Sequence, residues 1–148
     1  MRCLFILVGL SFLCGCASVP MGAQNQDQIA KQFGVSTNTA HIYLFRESKF
    51  AGSAVVLPVM VNQRVIGATK IGTYFYWELK PGTYTISSQN TSSFPSIDLT
   101  VEAGKNFFIE QNFHTWEFIP KVTLDIVDES AGKTGVIKCQ LLANSFNP

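Results

Sequence analysis

The amino-acid sequence predicts an all-β protein: an antiparallel β-sandwich of seven or eight strands, immunoglobulin-like or transthyretin-like, with at most a short helix. Short segments in which apolar and polar residues alternate recur along the chain, and turn-forming residues separate them. This is the pattern of many short strands joined by turns. Phenylalanine is frequent, with 12 of 148 residues, and only 14% of the residues are charged. Such a composition favours strands over surface helices.

The strand pattern begins at Ala40. The first segment, residues 41–46, is apolar on both faces, as expected for a buried strand. Further candidate strands follow at residues 53–61, 64–69, 74–79, 83–88, 97–102, 105–111, 121–127 and 136–142. In the strand at 121–127, the residues expected to be buried are Val122, Leu124 and Ile126. Residues 128–134 are a polar connection with room for one helical turn.

Two turns are predicted from their residue types. Asn62 and Gln63 form a two-residue turn between strands. Proline and glycine at positions 81 and 82 favour a tight turn that makes residues 72–88 a hairpin. The side chains expected on its core face are Phe75, Trp77, Leu79, Tyr84 and Ile86. The opposite face of the first strand carries Tyr74, Tyr76 and Glu78.

The N-terminus has the order of a secretory signal. Arg2 precedes an apolar run at residues 4–12 that is shorter than the roughly 20 residues needed to span a bilayer. The run ends in Leu13, Cys14, Gly15 and Cys16, which resembles the lipobox of bacterial lipoproteins. The resemblance implies cleavage between Gly15 and Cys16, with acyl chains such as palmitate on Cys16. Ala17, rather than aspartate, follows Cys16, which by the same resemblance implies sorting to the outer membrane.

Three regions are therefore expected. Residues 1–15 are a signal peptide, residues 16–39 a lipidated flexible tether, and residues 40–148 the β-sandwich domain. A short helix capped by Asp27 is compatible with residues 27–33. We expect the domain to fold without the tether.

Charge and cysteine content exclude several classes of protein. The formal net charge is +1, and loss of the single charged residue of the signal, Arg2, leaves the mature chain neutral. Nucleic-acid binding, which needs basic clusters, is not expected. Of the four cysteines, Cys3 and Cys14 leave with the signal, Cys16 carries lipid, and only Cys139 remains, so no internal disulfide is expected.

The chain resembles a known family. The resemblance rests on four motifs, IYLFR, GTYF, KPGTY and VEAGK, at residues 42–46, 72–75, 80–84 and 101–105. These motifs recur in this order in small bacterial lipoproteins of the domain-of-unknown-function 2846 family. Gly67 and residues 79–82 also resemble PEGA-type surface β-domains. The motifs are turn and strand patterns, so the resemblance implies a fold and no catalytic residue.

Catalytic and metal-binding patterns are weak. Residues 131–134, AGKT, lack the first glycine of a phosphate loop, because Val127 occupies its position, and we interpret them as a turn. His41 and His114 have no metal-ligand partners at suitable spacing, Glu117 being the nearest to His114, and each is expected to be solvated or hydrogen-bonded. No metal or cofactor is expected. No serine lies in a nucleophile elbow.

Cys139 is expected to be a buried, unreactive thiol on one strand face with Ile137 and Leu141.

Aromatic residues are the best functional candidates. The candidates are Phe113, Trp116, Phe118, Tyr74 and Tyr76. They could bind an envelope protein or a glycan, although aromatic residues in a sandwich more often form core or edge cover.

We expect a lipid-anchored, non-catalytic protein of the outer membrane, facing the periplasm, that binds a partner or supports envelope structure. Exposure at the cell surface stays open. The alternatives are a glycan- or peptidoglycan-binding module and, as a weaker hypothesis, an envelope hydrolase using His114 and Glu117.

Overall fold

Two β-sheets pack face to face in the computed structural model, which describes residues 18–49, 52–115, 119–143 and 146. The elements in chain order are α1 (Gln24–Ala30), β1 (Ala40–Arg46), β2 (Leu57–Val61), β3 (Arg64–Thr69), β4 (Thr73–Leu79), β5 (Gly82–Ser88), β6 (Ser96–Val101), β7 (Asn106–His114), β8 (Lys121–Val127), α2 (Glu129–Ile137) and β9 (Gln140–Leu141). Neither of these two helices is long and apolar enough to cross a membrane.

The strands form a five-stranded sheet, β8-β7-β1-β4-β9, and a four-stranded sheet, β3-β2-β5-β6. This arrangement confirms the predicted all-β sandwich, although the described residues form nine strands and two helices, where seven or eight strands and at most one short helix were predicted. Most neighbouring strands are antiparallel, whereas β1 pairs with β7 and β4 pairs with β9 in parallel. Parallel neighbours need long connections. In the sequence, all four strands of the second sheet lie between β1 and β7.

A hydrophobic core fills the space between the sheets. The predicted alternation of β4 is confirmed, because Phe75, Trp77 and Leu79 all face this core and are each 1% exposed. Ile86 of β5 and the partly buried Tyr84 join the same cluster from the opposite sheet. Residues that alternate along a strand therefore meet across the sandwich.

A second core lies on the outer face of the five-stranded sheet. Tyr43 and Phe45 of β1 project there, together with Tyr74, and the two helices cover them. Close approach of α2 depends on Gly132 and Gly135, because a Cβ atom at either would overlap the ring of Phe108 or Phe45. This layer explains why β1 is buried along its whole length and why its sequence is apolar on both faces.

The predicted hairpin at residues 72–88 is wrong in its pairing. β4 belongs to the five-stranded sheet and β5 to the four-stranded sheet. Pro81 therefore lies in a connection between sheets. The predicted turn at Asn62 and Gln63 is present, since β2 pairs with β3 around it and both residues have positive φ, 49° and 65°. Such angles are those of the mirror-image turns that suit the twist of hairpins.

Three further sequence expectations differ from the structure. β2 begins at Leu57, so residues 53–56 precede the strand. The region expected to be a strand at 136–142 contains the end of α2 and only a two-residue strand, β9. Ile126 is 57% exposed, unlike Val122 and Leu124 of the same face. Ile126 lies near the end of the edge strand β8, where burial of that face decreases.

The N-terminal segment packs against the domain, in contrast to the flexible tether expected from its composition. Val19 is 8% exposed and belongs to the core between the sheets. Met21 forms a β-bridge with Leu142, which extends the edge next to β9. Among the described residues, the folded unit therefore extends back at least to Val19.

Helix α1 begins three residues earlier than expected, and Asp27 does not cap it. The N-cap is Ala23, without a side-chain hydrogen bond. The Asp27 carboxylate instead accepts hydrogen bonds from the hydroxyl of Tyr74 at 2.9 Å and from the backbone N–H of Leu141 at 3.0 Å. Lys31 also pairs with it, at 2.8 Å. Asp27 thus fastens α1 to β4 and β9.

Candidate interaction surface

Tyr74 was predicted to be a possible partner-binding aromatic residue, and the prediction that it is exposed is wrong. Its side chain is fully buried beneath the N-terminal layer and donates its hydroxyl hydrogen bond to Asp27. Burial raises its pKa above the ordinary value, and the bond to the Asp27 carboxylate adds to this. Tyr74 is therefore part of the second core. The sequence did not reveal this because nothing in the pattern of β4 indicates which element covers its outer face.

Tyr76 is only half-buried, and its side chain makes both a polar and an aromatic contact. Its hydroxyl donates to Glu78 Oε1 at 2.8 Å, and its ring meets the ring of His41 edge-on, with centroids 5.4 Å apart. Burial raises the pKa of Tyr76, so the phenol stays neutral near physiological pH. Tyr76 remains available at the rim of a hollow of about 280 Å³ that Gln26 and Ile29 also line.

Phe113 covers a buried arginine. The Arg46 guanidinium carbon lies 5.7 Å from the Phe113 ring centroid, and Arg46 is only 2% exposed. The guanidinium donates hydrogen bonds to two backbone carbonyls, those of Val55 at 2.7 Å and Gly52 at 2.9 Å. This contact is the edge-cover role weighed from the sequence, here with a cation beneath the ring. Trp116 and Phe118 lie outside the described residues.

Exposed apolar side chains lie in the two loops at the β6 and β8 edges of the sandwich. Phe94, between β5 and β6, is 72% exposed, and Ile119, just before β8, is 63% exposed. We call residues 89–95 together with residues 119–120 the paired-loop surface. Neither side chain is among the candidates that the sequence predicted. The available signal was an aromatic residue followed by a proline within a loop rich in serine and asparagine.

Hydrogen bonds hold the paired-loop surface in one shape. Asn90 Nδ2 donates to the carbonyl of Pro120 at 2.9 Å, and the backbone N–H of Val122 donates to Ser93 Oγ at 2.8 Å. Asn90 Oδ1 accepts from the backbone N–H groups of Ser92 and Ser93 at 2.9 and 2.6 Å, which is the geometry of an Asx turn. Because these bonds fix residues 90–93 against residues 120–122, a partner would bind this part of the surface at a reduced entropic cost.

The two histidines differ in environment. His114 is partly buried, with Nε2 at 3.3 Å from Thr123 Oγ1. His41 is 8% exposed, and neither of its ring nitrogens has a hydrogen-bond partner within the described structure, so the expectation of a solvated or hydrogen-bonded side chain is wrong. Glu117, the expected neighbour of His114, lies outside the described residues. Among the residues that are described, no three His, Cys, Asp or Glu side chains are grouped to hold a metal ion.

The other residues that the sequence analysis considered for catalysis or ligand binding, residues 131–134 and Cys139, belong to the packed structure of the domain. Residues 131–134 belong to α2 rather than to the expected turn, and Asp128 caps this helix by accepting from the Ala131 N–H at 2.9 Å. Cys139 is buried as predicted, although Ile137 does not share its environment, being 59% exposed. Burial raises the pKa of the Cys139 thiol to about 12, which keeps it protonated and poorly nucleophilic. Gly15 and Cys16 lie outside the described residues.

Fold and surface together define a small β-sandwich with a helical layer on one sheet and the hydrogen-bonded paired-loop surface at one side. Residues 36–122 match the family model described as "Protein of unknown function (DUF2846)". The match covers more than half of the chain, and the chain belongs to this family. It is also similar to an uncharacterized protein of Haemophilus influenzae, with 29% identity over 137 residues, covering 91% of this chain and 81% of that protein.

Proposed function

We propose that the protein is a lipid-anchored envelope protein whose non-catalytic β-sandwich binds another envelope protein through the paired-loop surface. The observation that carries the proposal is the position of the lipobox-like cysteine. Cys16 precedes Val19, the first of the described residues that is buried in the core, by only three positions. An acylated Cys16 would thus be adjacent in the chain to a folded domain, as in a protein that works at a membrane surface.

Location at the outer membrane, facing the periplasm, is part of the proposal. It is supported by the lipobox-like ending at Cys16 and by Ala17 at the position that follows it.

A binding role is supported by the chemistry of the described surface. Phe94 and Ile119 expose large apolar side chains beside residues that hydrogen bonds join across the two loops. Aromatic and aliphatic anchors of this kind contribute much of the binding energy of protein interfaces. The buried thiol of Cys139, protonated at physiological pH, also supports a non-catalytic role.

The anchor is tested by replacing one sulfur atom. Cys16→Ser should abolish incorporation of a radiolabelled fatty acid and leave the chain uncleaved or soluble, because two or three acyl chains are needed for firm membrane attachment. Cys139→Ser is the matched control and should still be acylated, since Cys139 is buried in the domain. A processed, detergent-dependent membrane protein in the Cys16→Ser strain would contradict the proposal.

The paired-loop surface is tested by comparing polar substitutions at exposed positions. Phe94→Ser and Ile119→Ser should each weaken crosslinking to an envelope protein by about tenfold or more, the effect of losing 1.4 kcal/mol or more at a binding anchor. Ile137→Ser, at a side chain that is 59% exposed on α2, is the control and should bind as the native protein does. Equal crosslinking by all three variants would contradict a binding role for the loops.

A glycan-binding role is the second candidate, and one hollow favours it. The hollow has a volume of about 650 Å³ and is lined by Asn62, Arg64, Glu78, Lys80 and Tyr84, among others. A partly buried tyrosine beside polar and cationic side chains suits an anionic sugar such as a peptidoglycan fragment. Titration with soluble peptidoglycan fragments, using Arg64→Ala as the variant, separates this function from protein binding.

A further inference from the structure

The N-terminal segment occupies one particular side of the sandwich. The Gly22 N–H donates to the Leu141 carbonyl at 2.9 Å, and the Ala143 N–H donates to the Pro20 carbonyl at 2.9 Å, so residues 20–22 run beside β9. Pro20 also borders a hollow of about 160 Å³ together with Ile66 of β3. We call β3, β9 and residues 19–22 the anchor side. β3 and β9 are the edge strands here, and the segment lies at the seam between the two sheets.

The chain between Cys16 and this side is short. Val19 is fixed in the core between the sheets, and Cys16 is three residues away. A fully extended chain advances at most about 3.6 Å per residue, so the Cα atoms of the two residues are at most about 11 Å apart. Acyl chains on Cys16 would therefore bring the anchor side to the level of the lipid headgroups.

The chemistry of the anchor side suits this position. Met21 is 40% exposed and Val65, on the edge strand β3, is 64% exposed. Arg64, next to Val65, is also exposed. Apolar side chains flanked by a long basic residue are suited to the interface between headgroups and acyl chains, where the basic group stays hydrated.

We infer that the anchor side rests against the headgroups of the leaflet that holds Cys16, and that the paired-loop surface therefore points away from the membrane. The inference rests on the proposed acylation of Cys16. The loops belong to the β6 and β8 edges, opposite β3 and β9. Four strand spacings of about 4.8 Å separate β8 from β9, so the loops lie roughly 20 Å farther from the bilayer than the anchor side.

Short-range quenching measures this orientation. The acylated protein is reconstituted into phosphatidylcholine vesicles that contain a lipid with a nitroxide on its headgroup. A fluorophore is attached to a cysteine introduced by Val65→Cys, Met21→Cys or, in the control variant, Phe94→Cys. These three native side chains are all exposed, whereas Cys139 is buried and its protonated thiol reacts slowly. The native protein serves as the labelling blank.

The expected result is strong quenching at positions 21 and 65 and none at position 94. Mass spectrometry of the N-terminal peptide reports acylation in the same samples. Equal quenching at all three positions in an acylated protein would contradict the inferred orientation but not the proposed anchor. A chain without acyl groups would overturn the proposed anchor and the orientation with it.

A lengthened variant tests whether the short connection sets the orientation. About twelve glycine and serine residues inserted between Ala17 and Ser18 form a flexible coil with an end-to-end distance of roughly 19 Å. Quenching at position 65 should then fall towards that at position 94, while acylation is unchanged. Undiminished quenching at position 65 would overturn the argument from chain length.

Discussion

Trp77 shows how a single side chain joins the two sheets. It is 1% exposed, its ring stacks on Phe75 with centroids 5.5 Å apart, and it meets Phe146 edge-on at 6.4 Å. Trp77→Ala should lower the free energy of unfolding by roughly 3–5 kcal/mol, because the cavity left by a large aromatic residue is only partly refilled. Urea unfolding followed by circular dichroism gives this value directly.

Tyr76→Ala is the matched control on the same strand. Tyr76 is half-buried and bonds Glu78 at 2.8 Å, so its truncation should cost less than that of Trp77. If Tyr76→Ala were the more destabilising of the two, the core between the sheets would not be the main source of stability.

For single residues, the sequence predicted burial correctly where burial depends on which face of a strand the side chain occupies. The period of two placed Phe75, Trp77 and Leu79 correctly, because an inter-sheet core selects apolar residues at every second position. The same period gave no information about Tyr74, since its burial depends on α1 and β9. The opposite error occurs at Ile126. The alternating pattern predicted that it is buried, but it lies near the end of β8 and is 57% exposed.

Among the elements, the N-terminal segment contributes more than its polar composition indicates. Val19 fills the inter-sheet core, the Tyr43 hydroxyl donates to the Ala30 carbonyl at 3.0 Å, and Asp27 accepts from Tyr74. A protein that begins at Thr39 loses all three contacts. It should unfold at a clearly lower urea concentration than the native domain, or without cooperativity, because buried aromatic surface becomes exposed.

The control for that truncation is a protein that begins at Ser18. It keeps every described contact of the segment and should unfold like the mature domain. Identical unfolding midpoints for the two truncated proteins would show that the contacts of α1 contribute little.

The elements that sequence patterns could not predict are those that depend on distant partners. The strands β1 to β8 were each anticipated, because local alternation and turn residues specify them. The pairing of β4 with β1 rather than with β5 was not, since the turn at Pro81 is compatible with a hairpin or with a change of sheet. The paired-loop surface was missed for a similar reason: bonds between loops 30 residues apart order it.

For the molecule as a whole, the layer of buried phenols and a buried thiol predicts a loss of stability at alkaline pH. Burial raises the pKa of Tyr43 and Tyr74 above the ordinary 10.0, and that of Cys139 from 9.0 to about 12. Folding thus favours the neutral forms. Their contribution is complete at neutral pH and decreases as the pH rises through 9 and then 10, because only the unfolded chain can then ionise these groups.

The midpoint of urea unfolding should therefore be constant between pH 7 and about 8.5 and should decrease from about pH 9 to 10. Burial lowers the pKa of Arg46 to about 10, and this residue acts in the opposite direction mainly above that pH, so the measurement stops at pH 10. Cys139→Ala removes the group that ionises first in the unfolded chain, so its midpoint should decline less steeply with pH in this range. A native midpoint that does not change up to pH 10 would mean that the layer of helices opens without global unfolding, which exposes the phenols and the thiol to water in the native state.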